Sequence, residues 1–292
     1  MAYFKHALGR TFYLSFGNLK LPTLICLHGG PGGTHELLLP LRKLSKKYRV
    51  ILYDQAGGGK SSDIPKKHWR INSFVRELRA LVEHLGLSDY YLYGASWGTT
   101  LALEYALRYP RGVKGVVFQS PMFSASDWQR DALRLIKKMP KPHRNVLLRK
   151  VQGRKTEDSA LETAMLQYYL SHVLRSKPKL DRVMKMMLGN KGEKVYAHMW
   201  GAAEFKAEGT LKNYDKVSSL NNLKMPVLFV CGEFDEAQPV TVKRYAKYIG
   251  ADVKVIKNAS HVITFEKPDK LFKATAEFLD KITKESGGDA DS

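Results

Sequence analysis

Short apolar runs and longer stretches of helical periodicity alternate along the first third of the chain. TLICLHG, RVILYDQ and YYLYGAS are of strand length, and each runs out into Gly, Asp or Ser. Between them, Glu36 to Leu44 has helical spacing, and Ile71 to Leu85 places Phe74, Leu78, Leu81, Val82 and Leu85 on one face. Continuous apolar strands separated by helices predict a parallel sheet covered on both sides. Ahead of them, Tyr3–Ala7 and Thr11–Phe16 suit an antiparallel hairpin turning at Gly9-Arg10. A helix follows Ser96 and stops at Pro110, and GVVFQS is a sixth strand. From Ser124 to Val217 the pattern becomes helical and amphipathic. Alternation resumes at PVLFVCG and VKVIKNAS and closes with a helix from Pro268 to Ile282. The expected architecture is an α/β core of residues 1–123 and 218–284 carrying a mostly parallel eight-stranded sheet. A helical cap, residues 124–217, interrupts it after the sixth strand, and residues 285–292 form a frayed tail. Open parallel sheets place their sites at the carboxyl ends of the strands, where such a cap would sit.

Composition narrows the class. With 292 residues, 44% hydrophobic and 26% charged, the chain is globular and can bury a large core. Two cysteines, Cys26 and Cys231, exclude a disulfide scaffold or a Cys-rich zinc cluster; both lie in apolar runs and read as buried free thiols. No apolar run nears the ~20 residues of a membrane helix, and MAYFKHALGRTF lacks a signal-peptide core. The expectation is a cytoplasmic protein with no membrane partner. The net charge of +20 raises nucleic acid as a partner. Residues 121–218 hold 20 basic and 10 acidic side chains, but dispersed, with no RNP or zinc-finger pattern, so they read as a solvated surface and no nucleic-acid partner is expected.

The chemistry is carried by Gly94-Ala95-Ser96-Trp97-Gly98, a G-x-S-x-G sequence with a strand before it and a helix after it. A sharp strand-to-helix turn lifts a serine hydroxyl above the sheet, and the helix N-terminus favours developing negative charge. A serine nucleophile needs a base and a group that orients it, in the chain order Ser, acid, His. Asp235 after the strand PVLFVCG and His261 after VKVIKN fill these places, with Glu233 competing for the acid. A histidine base implies activity falling below about pH 6–7. Two backbone N–H groups should form the oxyanion hole: Trp97, and Gly30 in the loop after TLICLHG, with Gly29 the alternative. DQAGGGKS resembles a phosphate-binding loop, but Asp54 stands where that pattern needs its first glycine. No metal-ligand spacing is present, so neither metal nor cofactor is expected.

HGGPGG, YDQAGGGKSS, GASWGTTLALEYA, GEFDE and the late His261 together resemble the proline iminopeptidases (prolyl aminopeptidases) of the α/β-hydrolase fold. The resemblance spans nearly the whole chain. In the insertion, QYYLSHVLR and AEFKAEGTLKNYD are similar to cap segments of the tricorn-associated aminopeptidase branch. The resemblance implies a serine aminopeptidase that releases N-terminal residues, proline or small and hydrophobic, from short peptides; an esterase or amino-acid amidase with the same triad is the alternative. It also implies that Glu204, of the cap's E-F pair, and Glu236, after the triad Asp, hold the substrate's α-ammonium. A cation entering an apolar pocket does need paired negative charge. The chain departs from the family at Ala56, where an Arg or a bulky residue is usual, at Lys60, and at Ala203, where relatives often carry Asn. These departures imply a more open pocket.

Overall fold

The computed structural model of the chain describes residues 2–187 and 191–287. Eight strands form one sheet: β1 (Ala2–His6), β2 (Gly9–Phe16), β3 (Thr23–Leu27), β4 (Arg49–Tyr53), β5 (Tyr90–Ala95), β6 (Val113–Gln119), β7 (Val227–Gly232) and β8 (Asp252–Ile256). Their spatial order is β1-β2-β4-β3-β5-β6-β7-β8. β2 pairs antiparallel with β1 and β4, and every other pairing is parallel. This is the α/β-hydrolase architecture.

The central strands are apolar throughout because both of their faces are covered. Ile25 and Leu27 point into a core built with Phe74, Leu78 and Leu81 of α1 (Ile71–His84) and Leu101 and Tyr105 of α2 (Trp97–Arg108). Leu24 and Cys26 point the other way, toward Leu38, Leu41 and Leu44 and the closing helix. α8 (Pro239–Tyr248) joins the first face through Val242 and Tyr245.

Two elements differ from the sequence reading. The hairpin turns at Ala7-Leu8, and His6 pairs with Gly9, so Arg10 lies in the strand opposite Lys5. Gly9 sits at φ +131° against Ser62, which places it at the strand's start rather than in the turn. The segment His35–Lys46 is a 3-10 helix containing Pro40. Proline lacks the N–H that a regular α-helix would use there.

Between β6 and β7 lie α3 (Ala125–Lys138), α4 (Lys141–Val151), α5 (Asp158–His172), α6 (Lys177–Met187) and α7 (Glu193–Met199). The first three share a small core of their own, built from Leu135 and Ile136 of α3, Met139 just after it, Leu147 of α4 and Tyr168 of α5 and closed by Phe205, while α7 packs Val195 and Met199 into the core of the sheet. The two ends of this block meet where Ser124 bridges Asp215 in a short antiparallel contact. There the Ser124 hydroxyl donates to Asp215 at 2.9 Å and also caps α3. After β8 come α9 (Ile263–Glu266) and α10 (Pro268–Gly287). α10 takes in the first three residues of the tail expected to fray; residues 288–292 lie outside the described residues. Among the described residues no helix is long and apolar enough to cross a membrane.

Cys26 on β3 and Cys231 on β7 are free and buried, on opposite faces of the sheet, with β5 and β6 between their strands. Burial pushes both thiols far above their ordinary range. At ~4.8 Å per strand they stand roughly 14 Å apart, beyond the reach of a disulfide. Thiol titration should find no reactive cysteine in the folded protein and two after unfolding without reductant; fewer than two would break this assignment.

Candidate active site

The turn from β5 into α2 puts Ser96 at φ 53° and ψ −123°, a conformation that costs a non-glycine residue roughly 1–3 kcal/mol. Its surroundings hold it there. The Ser96 N–H donates to the Gln119 carbonyl at 2.9 Å, and the Ser96 carbonyl accepts from the Thr99 N–H at 2.8 Å and from the Thr99 hydroxyl at 2.6 Å. The two motif glycines permit the close approach. A Cβ on Gly98 would stand 2.0 Å from the Leu27 carbonyl oxygen of β3, and one on Gly94 would stand 2.4 Å from that of Gly98.

Asp235 follows β7 and is wholly buried. One carboxylate oxygen accepts from the Ala237 N–H at 2.9 Å and meets His261 Nδ1 at 2.8 Å. The other accepts from the Gly232 N–H at 3.0 Å and the Ser120 hydroxyl at 2.6 Å. Glu233, the competing acid, is exposed and accepts from the Asn258 N–H at 2.9 Å, bracing the neighbouring loop. His261 lines the same cavity as Ser96. The edge of the Trp128 ring meets it 5.7 Å between centroids, and Gln119 Nε2 donates to its carbonyl at 3.1 Å. The end of α5 splints this loop: the N–H groups of His261 and Val262 donate to the carbonyls of His172 and Val173 at 3.1 and 2.9 Å. The His172 ring donates from Nδ1 to the Phe234 carbonyl at 3.0 Å, beside Asp235.

The loop bearing Gly29 and Gly30 is held by a chain of contacts that sequence patterns did not disclose. The Gln55 backbone N–H donates to His28 Nε2 at 3.1 Å. A backbone amide only donates, so Nε2 accepts, and the ring's proton lies on Nδ1. Burial keeps this imidazole neutral, lowering its pKa to about 4 against the opposing pull of Asp54. Nδ1–H then donates to the Gly29 carbonyl at 3.1 Å. In a trans peptide the C=O and N–H point opposite ways, so fixing the Gly29 carbonyl aims the Gly30 N–H away from His28. The Gln55 side chain donates to the His28 carbonyl at 3.2 Å and accepts from the Trp97 indole at 2.8 Å. It thereby ties this loop to the residue after Ser96.

Glu204 and Glu236 meet at the other wall. Both line the cavity of about 440 Å³ that also contains Ser96, His261 and Gly30. Apolar side chains from both layers, among them Leu37, Met165, Val173, Met184 and Val262, make up much of the remaining wall. Glu236 is buried, with Oε1 3.8 Å from His261 Nε2 and the Tyr168 hydroxyl beside its carboxylate. Glu204 accepts from the Tyr196 hydroxyl, and its backbone carbonyl accepts from the indoles of Trp128 and Trp200, each at 3.1 Å. Burial raises both carboxyl groups, Glu236 strongly, with the charge of Glu204 adding to it.

The glycine turn after β4 is occupied by its own aspartate. Asp54 accepts from the His35 N–H and ring at 2.7 Å each and from the Lys60 N–H at 2.8 Å. A Cβ on Gly59 would collide with this carboxylate at 2.4 Å. The amides that suggest a phosphate cradle are thus spent internally. Ala56 and Ala203, expected to widen the pocket, are both buried and stand outside the cavity wall. The Ala56 N–H donates to the buried Glu77 carboxylate instead, at 2.9 and 3.0 Å.

Known proteins resemble the chain over most of its length. The family model for the alpha/beta hydrolase fold matches residues 22–268. A proline iminopeptidase of Heyndrickxia coagulans is 35% identical over 261 residues, covering 89% of this chain and 91% of the relative. The crystal structure of VinJ superposes with a TM-score of 0.88 at 31% identity, covering 96% of this chain and 98% of that one. A proline iminopeptidase structure from Mycobacterium smegmatis superposes with a TM-score of 0.86 at 29% identity, over 98% of this chain and all of that one. On its fold and these likenesses, the chain belongs to the proline iminopeptidase family of α/β-hydrolases.

Proposed function

We propose that the chain is a serine aminopeptidase that releases proline or a small hydrophobic residue from the N-terminus of short peptides. The observation that carries this reading is the pair Glu204 and Glu236 in the same apolar cavity as Ser96 and His261. A desolvated carboxylate pair costs stability unless a cation joins it. A substrate's α-ammonium would supply that cation and stop the peptide at its first residue. An esterase has no use for the pair.

In the proposed reaction Ser96 Oγ attacks the first peptide carbonyl while His261 Nε2 takes its proton. Asp235 keeps the imidazole oriented. The N–H groups of Gly30 and Trp97 receive the oxyanion, held in place through Gln55 and His28. His261 passes the proton to the leaving amine, and an acyl ester remains on Ser96. Water activated by His261 then frees the amino acid. Residues 124–217 act in this reading as a cap that closes the cavity over the strand ends of the 1–123 and 218–284 core, and no metal or cofactor takes part.

Ser96→Ala should leave the fold intact and lower turnover by ~10³-fold or more; a folded variant that keeps most of its activity would remove Ser96 as nucleophile. Acetylating the amine of an aminoacyl-naphthylamide strands the carboxylates without a partner. It should lower kcat/KM by roughly 30- to 1,000-fold, or ~2–4 kcal/mol. Equal rates on free and acetylated substrates would reject the aminopeptidase and leave the esterase or amidase reading.

A further inference from the structure

The nitrogen of His261 that has to accept the serine proton is the one that faces Glu236. Nδ1 is engaged by Asp235 at 2.8 Å, and Nε2 stands 3.8 Å from Glu236 Oε1. In the free protein this arrangement favours a proton on Nε2, where it blocks the base. The surroundings offer the two glutamates no other cation: among the described residues lining the cavity there is neither lysine nor arginine. We propose, building on the aminopeptidase reading, that the substrate's ammonium switches the enzyme on: by taking over Glu236, it releases the proton from His261 Nε2 and so creates the base.

The groups around the imidazole bear this out from every side. Asp235 and Glu236 face it from the loop between β7 and α8, and Glu204 from the cap. The Trp128 ring from α3 packs against it nearly at right angles. From the end of β6, Gln119 donates to the His261 carbonyl, and the Ser120 hydroxyl just after it donates to Asp235. His172 on α5 is held neutral by burial and turned to Phe234. Tyr168, Tyr169 and Tyr196 stand against the glutamates as neutral phenols. Burial by itself would lower the imidazole's pKa. Asp235 and Glu236 outweigh it, with Glu204 adding to them, and the group is pushed up to about 9. The carboxylates thereby favour the imidazolium over the neutral ring in the free site. An arriving ammonium brings a second positive charge to the same carboxylates; the imidazolium loses its partner, meets a like charge, and gives its proton to solvent. The neutral Nε2 is then free for Ser96. Selectivity for a free N-terminus gains a kinetic component beyond affinity, because a blocked or neutral substrate finds the base still protonated.

The pH dependence of kcat/KM reports the free enzyme and that of kcat the bound complex. For p-nitrophenyl acetate, which has no ammonium, the acid limb of kcat/KM should lie near pH 9, leaving the rate at pH 7 roughly 100-fold below its plateau. For a free-amine naphthylamide the acid limb of kcat should fall to the ordinary imidazole range, about 6–7. Glu236→Gln should move the ester limb downward and raise ester kcat/KM at pH 7 by ~tenfold or more. A second measurement needs no turnover. Prolinamide binding to Ser96→Ala, followed calorimetrically at pH 7.5 in buffers of different ionisation enthalpy, should release about one proton. An ester limb at pH 6–7 overturns the proposal whatever the amine does. Prolinamide binding without proton release overturns it and leaves the aminopeptidase reading standing. Failure of every free-amine ligand to bind overturns both.

Discussion

The site depends on how closely α2 approaches β3. At Gly98 the backbone of the helix comes against the Leu27 carbonyl with no room for a methyl group. That contact draws the start of α2 down onto the carboxyl ends of the strands. It sets Ser96 in its unfavourable backbone conformation and brings the Trp97 indole within reach of Gln55. From Gln55 the constraint passes to His28 and the Gly29 carbonyl, so the loop on β3 is positioned by the same approach that positions Ser96. The strain at Ser96 is small beside the burial around it: Tyr93, Trp97 and Leu101 are all fully or nearly fully buried.

A second constraint is electrostatic. A chain of net charge +20 encloses a cavity bearing Glu204, Glu236 and the nearby Asp235. The basic side chains lie largely at the surface, where salt screens them within about 10 Å. Inside, burial leaves the carboxylates to act on one another and on His261. Overall charge therefore says little about what this cavity would accept.

The sheet was legible because its strands are buried on both faces and bounded by turn residues. Ser96 stood out for its glycine-flanked turn between strand and helix, and Asp235 and His261 for their places just past β7 and β8. What stayed hidden are contacts made by segments remote in sequence. Gln55 read as part of a glycine-rich turn, and its bond to Trp97 spans 42 residues. Ser120 read as the last residue of a strand, though it sits at φ 51° and donates to Asp235. His172 carries no pattern of its own in the sequence, and its bond to the Phe234 carbonyl spans 62 residues. A hairpin turn placed two residues late, and a helix made 3-10 by Pro40, are local misreadings that tertiary contacts and a missing amide decide.

The splint at the end of α5 gives the molecule a particular way of failing. The loop holding His261 takes two of its backbone hydrogen bonds from this helix, and the Asp235 loop is braced by His172. Local unfolding begins in the less densely packed parts of a protein, and α5 carries two buried residues, Ala164 and Tyr168, along its 15-residue length. If α5 frays, the imidazole loses its support at the same moment as the cavity loses its wall. Support of the imidazole and closure of the cavity are thus one structural event, carried by the same helix.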